Sequence, residues 1–234
     1  MIRDAATVIV ARDASDGPHV FLVRRSSRAA WLSDVFVFPG GAVDDDDHER
    51  AAHLLAGATD GIDPGYVVTA ARETFEEAGM LFADRPVPHD ALAQARRAVL
   101  AGELGFAQAL AQLGARVDSA QLRYFSRWIT PPSEPRRFDT RFFVARAPQD
   151  QVAEADAAEV YDGRWMRPAD ALAAHARGEI GLIFPTIKHL ERIAPFASVD
   201  ELLAFASQKP IVTVSPDVSD ERVFSLTPEL ENAW

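Results

Sequence analysis

Arg72-Glu73-Thr74-Phe75-Glu76-Glu77-Ala78-Gly79 is the stretch of sequence that bears most on the fold. At about 100° per residue, Val67, Val68, Ala71, Phe75 and Ala78 share one apolar stripe of a helix, and Glu73, Glu76 and Glu77 fall on the other side. The spacing predicts a helix that buries one face and turns three carboxylates away from it. Glu73 lies i, i+3 from Glu76 and i, i+4 from Glu77, so each like-charge pair costs roughly a few tenths of a kcal/mol unless a cation neutralises it. Asp63-Pro64 marks the start of this helix, because Asp accepts from orphan N–H groups and Pro loses nothing at the first helical position. Gly79 marks its stop. Charged residues at helical spacing most often simply face water. Carboxylates are also the preferred ligands of Mg²⁺ and Mn²⁺, however, and Arg72 can orient one of them through paired donors.

Outward toward the N-terminus, Ala6 to Ala11 and His19 to Arg24 are strand-like runs separated by turn formers from Asp13 to Pro18, and they read as a hairpin. Val35 to Phe38 is a further strand, ended by Pro39-Gly40-Gly41. Asp44 to Asp47 reads as a solvated loop, followed by a short helix over His48 to Leu55. On the C-terminal side, Asp90 to Gly114 reads as two helices broken near Gly102 to Gly105. Strands are expected at Leu122 to Ile129 and Arg137 to Ala145, and helices at Ala169 to Arg177, Thr186 to Ile193 and Val199 to Ser207. Ile211 to Val214 is a candidate closing strand. The interleaving gives an α/β or α+β class in one domain, 1–234, with a helical insertion at about 86–116 as a cap.

The chain has 234 residues, 48% of them hydrophobic, which is enough for a substantial core. A formal net charge of -11 opposes binding to nucleic acid or to an anionic membrane surface. The absence of cysteine removes disulfides, thiolate metal sites and cysteine nucleophiles together. The apolar run from Met1 to Val10 is too short for a signal-peptide core or a membrane span, so a cytoplasmic protein is expected, with a homodimer left open. Six histidines show no zinc spacing, and neither a nucleophilic-serine motif nor a P-loop is present.

Phe38-Pro39-Gly40-Gly41, together with Arg72-Glu73-Thr74-Phe75-Glu76-Glu77-Ala78-Gly79-Met80, resembles the Nudix box, G-x5-E-x7-R-E-U-x-E-E-x-G-U with U a bulky aliphatic. The resemblance implies a Nudix fold, a mixed sheet sandwiched between helices, and metal-dependent hydrolysis of a diphosphate in a nucleotide-type substrate. It implies that Arg72, Glu73, Glu76 and Glu77 are catalytic, and that Glu73, Glu76, Glu77 and the carbonyl of Gly41 hold Mg²⁺ or Mn²⁺. Two departures stand out. Asp47 occupies the family's first glutamate position but 24 residues instead of seven separate it from Arg72, and Thr74 replaces an aliphatic.

The family often uses another acidic residue on a loop six positions before a tryptophan, which here points to Glu159, ahead of Trp165. It also places basic residues against substrate phosphates, which points to Arg24 and Arg25, and to Arg141 in a strand that also carries Arg136 and Arg137. Trp31, Trp128 and Phe138 are candidates to stack on a base, with core packing as the simpler use. The stretched box and the helical stretch after it look most like the branch containing coenzyme A diphosphatases, so coenzyme A or an acyl derivative is the expected substrate. Broad action on ADP-ribose and dinucleotides is the alternative. A non-catalytic nucleotide-sensing module usually loses box glutamates, which this chain keeps. A cation-binding protein built on Asp44 to Asp47 lacks the glycine of an EF-hand loop.

Overall fold

The expected hairpin forms from β1 (Ile2–Ala14) and β2 (Gly17–Arg25) in the computed structural model, which describes residues 2–26, 34–156, 160–219 and 223–234. The chain continues through β3 (Val35–Val37), β4 (Gly40–Ala42), α1 (Asp45–Leu54), β5 (Leu55–Ala56) and the long helix α2 (Pro64–Ala78). Then come α3 (His89–Leu100), α4 (Phe106–Leu113), β6 (Val117–Asp118), β7 (Arg123–Ile129) and β8 (Arg137–Arg146). The last third adds β9 (Val160–Met166), α5 (Pro168–Ala176), β10 (Gly181–Leu182), α6 (Phe184–Ile193), α7 (Val199–Gln208) and β11 (Thr213–Val214). A small ladder of β12 (Asp217–Val218) with β13 (Phe224–Ser225) precedes α8 (Pro228–Ala233).

Nine strands join one mixed sheet in the order β10-β3-β2-β1-β8-β7-β11, with β4 added to β1 and β9 to β2. β1 runs parallel to β8 from Ile2↔Arg137 to Ala11↔Arg146, and antiparallel to β2 and β4 at its two ends. Its central residues are buried on both faces, because helices cover the sheet on both sides. Val8 and Val10 enter a core with Val67, Ala71 and Phe75 of α2, whereas Ile9 and Ala11 enter a second core with Leu190 of α6 and Val199 and Leu202 of α7. A strand covered on both faces reads as a continuous apolar run, as Val8 to Ala11 does.

The limits of α2 follow from local chemistry. The Asp63 carboxylate accepts from the Gly65 N–H at 2.8 Å, Pro64 occupies the first turn, and Gly79 closes the helix at φ 71°. That positive φ favours glycine. α3 and α4 stand where two helices were read, with Gly102 at positive φ in the break.

Three expectations change. α1 begins at Asp45 rather than His48, because acids in a first turn meet the positive end of the helix dipole. β9 occupies residues to which no element was assigned, and because Val160 alone among them is buried no apolar alternation announced it. The closing strand shortens to Thr213–Val214, which pairs with β7. Trp31 lies outside the described residues. Among the described residues no helix is long and apolar enough to cross a membrane.

His189 sits at the centre of the second core, fully buried and stacked 4.1 Å from the ring of Phe142. Its Nδ1 meets the Pro185 carbonyl at 2.7 Å, and its Nε2 meets the Ser126 hydroxyl at 2.7 Å. A carbonyl can only accept, so the proton is on Nδ1 and Nε2 accepts from Ser126. Burial pushes the imidazole pKa down to about 3. Between about pH 6.5 and 3 the unfolded chain therefore binds a proton that the folded one refuses. Stability from this group is complete above about pH 6.5 and falls by about 1.4 kcal/mol per pH unit below it. Urea unfolding at pH 7.5, 6.0 and 5.0 should show a shallower acid loss in His189→Gln than in the parent. Equal slopes would show that the imidazole is not refused its proton.

Candidate active site

β4 brings two glycines against α2. Gly40 and Gly41 pair with Thr7 and Ala6 of β1, so close that a Cβ on Gly40 would collide with the Thr7 side chain and the Ala6 carbonyl. The Gly40 N–H donates to Glu77 Oε2 at 2.9 Å. A Cβ on Gly41 would collide with the carboxylate of Glu73. Close approach to the neighbouring backbone thus requires glycine at 40, whereas at 41 a Cβ would displace the carboxylate of Glu73.

Arg72 ties these parts together. Its Nε and Nη2 donate to Asp47 at 2.8 to 3.2 Å, and Nη2 also donates to the Ala42 carbonyl at 3.0 Å. Its Nη1 donates to Glu73 Oε1 at 2.7 Å and reaches Glu76 Oε2 at 3.4 Å. Burial alone would lower the guanidinium pKa. The hydrogen bond to Asp47 and the charges of Glu73, Asp47 and Glu76 outweigh it and hold the pKa above its ordinary value.

The three box glutamates do not share a solvated face. Glu73 and Glu77 are buried and only Glu76 is half-exposed, because β4 and α1 pack over the side of α2 opposite the apolar stripe. Thr74 is also fully buried, with its hydroxyl satisfied by the Ala70 carbonyl at 2.7 Å. Asp47 is not in a solvated loop either. It is 3% exposed, accepts from the Asp44 N–H and the Thr69 hydroxyl, and anchors Arg72. Its neighbours Asp44, Asp45 and Asp46 are exposed.

Among the described residues no three His, Asp or Glu side chains stand together as a finished cage for an ion. Glu73 and Glu76 are drawn to Arg72, and Glu77 to the Gly40 N–H. The donor set still fits a hard divalent cation. All its side-chain donors are carboxylate oxygens, and the contact of Gly41 with Glu73 puts backbone beside them. Asp47, Glu73 and Glu76 all reach the guanidinium of Arg72.

The other candidates are scattered. Arg141 is bound to Asp4 and Asp139 and lies 3.9 Å above the Tyr66 ring. Arg137 donates to the Thr130 carbonyl and Arg136 is exposed. Trp128 packs against His189 and Trp234 in the second core, so it is not placed to stack on a base. The Nε atoms of Arg24 and Arg25 are buried without a hydrogen-bond partner among the described residues. Arg25 pairs across the sheet with Val160. Glu159 lies outside the described residues.

Sequence reasoning missed a clamp on the far end of α2. Arg96 of α3 donates through Nε and Nη2 to the Glu76 carbonyl at 3.1 and 2.8 Å, and through Nη2 to the Glu154 carbonyl at 2.8 Å. Gln151 accepts from the Leu81 N–H and donates to the Leu81 carbonyl, and the Glu154 N–H donates to the Ala78 carbonyl. A cation here complements the negative end of the helix. Nothing local distinguishes Arg96 from Arg97, so only the fold reveals it.

A glycine strand laid against a helix of carboxylates, on a mixed sheet between two helical layers, is the arrangement of a Nudix hydrolase. Residues 59–193, more than half of the chain, match the family model of the NUDT19 Nudix domain. The chain is 26% identical over 273 residues to acyl-coenzyme A diphosphatase NUDT19 of Xenopus laevis, covering 87% of this chain and 72% of that one. It is likewise 26% identical over 276 residues to the NUDT19 of Gallus gallus, covering 89% and 72%. The crystal structure of a Nudix hydrolase from Alicyclobacillus acidocaldarius superposes with a TM-score of 0.75 at 32% identity, covering 90% of this chain and 99% of that one. The chain belongs to the NUDT19 Nudix domain family and is a Nudix-type diphosphatase.

The two kinds of aspartate in the acidic run should separate in unfolding experiments. Asp47→Asn should lower stability by about 3–5 kcal/mol, since a buried guanidinium loses its main anion. Asp46→Asn, exposed and paired only with Arg50, should change it by less than about 0.5 kcal/mol. Equal effects in urea titrations would remove the anchoring role.

Proposed function

We propose that this chain hydrolyses the diphosphate of coenzyme A or an acyl-coenzyme A, yielding 3',5'-ADP and a phosphopantetheine product, with Mg²⁺ or Mn²⁺ as cofactor. The observation that carries the chemistry is the set of carboxylates gathered around Arg72 beneath Gly40 and Gly41. The substrate follows from the diphosphatase names of the relatives. A divalent cation held by Glu73, Glu76, Glu77 and the Gly41 carbonyl would supply Lewis-acid stabilisation of charge on the phosphoryl oxygens.

The residues themselves do the positioning. Arg72 keeps Glu73 and Glu76 aimed into the site, and the Gly40 N–H keeps Glu77 there, so little reorganisation is needed as charge builds up. One of these carboxylates takes a proton from water as its oxygen attacks phosphorus. The bridging P–O bond breaks, and two phosphate monoesters leave. Arg24, whose guanidinium also reaches Asp34 at 3.5 Å, and Arg25 are the proposed contacts for the substrate's anionic nucleotide end. Glu159 is retained as a further acidic group.

Glu76→Gln and Glu77→Gln should each lower kcat by at least about 100-fold with melting temperature nearly kept. Mg²⁺ or Mn²⁺ should raise the melting temperature of the parent and do so less in Glu73→Gln/Glu77→Gln. Full activity in both single variants would sink the catalytic assignment. For the substrate, kcat/KM should favour coenzyme A over both dephospho-coenzyme A and ADP-ribose. A tenfold preference for ADP-ribose over coenzyme A, about 1.4 kcal/mol, would overturn the substrate while leaving the hydrolase intact.

A further inference from the structure

A cavity of about 430 Å³ opens between α1 and α4, directly beside the catalytic groups. Asp47, Arg72 and Glu76 line it. The apolar part of its wall is made by Leu54 of α1, Val99 of α3, Leu104 just before α4, and Phe106 and Ala107 at the start of α4. The volume lies within the range of about 300–1,000 Å³ usual for small-molecule sites. We propose that this cavity takes the uncharged arm of the substrate, the half that carries amides, methylenes and, in an acyl form, the thioester chain.

Two arguments choose the arm over the nucleotide half. The first is charge. Asp44 and Asp46 also line the cavity, and Arg50, the cation beside them, is paired with Asp46 at 3.4 Å. A 3'-phosphate brought here would meet carboxylates, whereas an uncharged arm meets no such repulsion. The second is continuity. Glu76 belongs to both the catalytic set and the cavity wall, and Leu104 and Phe106 line the same cavity, so a chain leaving the diphosphate on this side has an apolar wall to lie against. Methylenes that lie against this wall leave water for apolar surface, which favours binding. Such binding is specific to a long arm and is absent for a sugar-phosphate half of the same charge.

This inference rests on the coenzyme A reading, and the test separates the two. Ala107→Trp and Leu104→Trp each fill the space along the apolar wall from partly exposed positions, with folding checked by thermal melting. The measured quantity is kcat/KM for coenzyme A, for an octanoyl derivative and for ADP-ribose, in the full chain with Mg²⁺. The expected result is at least a tenfold fall in selectivity for coenzyme A over ADP-ribose in each folded variant, with a larger fall for the octanoyl substrate. Unchanged selectivity in both variants of an enzyme that cleaves coenzyme A overturns the arm site alone. A parent enzyme that cleaves ADP-ribose but not coenzyme A overturns the substrate reading, and the arm site with it.

Discussion

The guanidinium of Arg72 is the point at which three separate pieces of chain, α1, β4 and α2, meet. It binds a side chain of α1, a carbonyl of β4 and two carboxylates of its own helix. Those carboxylates could not lie this close in a protein interior without it, since like charges at low dielectric repel far more strongly than in water. The arginine cannot be buried without them either. Each side of the arrangement therefore depends on the other, and Asp47 settles the balance by adding an anion that has no catalytic assignment. Burial of Arg72 is what converts a helix with an acidic side into a site of fixed geometry.

This arrangement explains how 24 residues can separate Asp47 from Arg72 without dispersing the site. The aspartate is carried on the first turn of α1, whose apolar side, with Ala51 and Leu54, joins the same core as α2. Packing holds the two helices together and the intervening chain only needs to return. Chain length between two anchored points has a small entropic cost that grows slowly, so the distance along the sequence is a poor guide to the distance in space.

Much of the fold was legible because its signals are local. The limits of α2 follow from Asp63, Pro64 and Gly79, the hairpin from two apolar runs around a turn, and the paired helices α3 and α4 from a glycine break. The box glutamates were legible as a group, but their burial was not. Helical spacing shows which residues lie opposite the apolar stripe, and it does not say whether a strand such as β4 covers that side. Asp47 was hidden in a run of four identical residues, where only the third dimension distinguishes the one that turns inward. β9 was missed because only Val160 of its residues is buried, which leaves no apolar alternation, and the ion pairs of Arg141 with Asp4 and Asp139 leave no local trace in the sequence.

The clamp at the end of α2 has a consequence for how this enzyme can change over time. Arg96 and Gln151 hold main-chain atoms of Glu76, Leu81 and Glu154 rather than their side chains. Such contacts are indifferent to the residue type at the positions they hold. The main chain of Glu76 therefore serves the end of its helix while its side chain is left to the site, and residue 154 can drift without undocking its loop. Docking by main chain thereby frees the loop around residue 154 to vary its side chains on an unchanged frame.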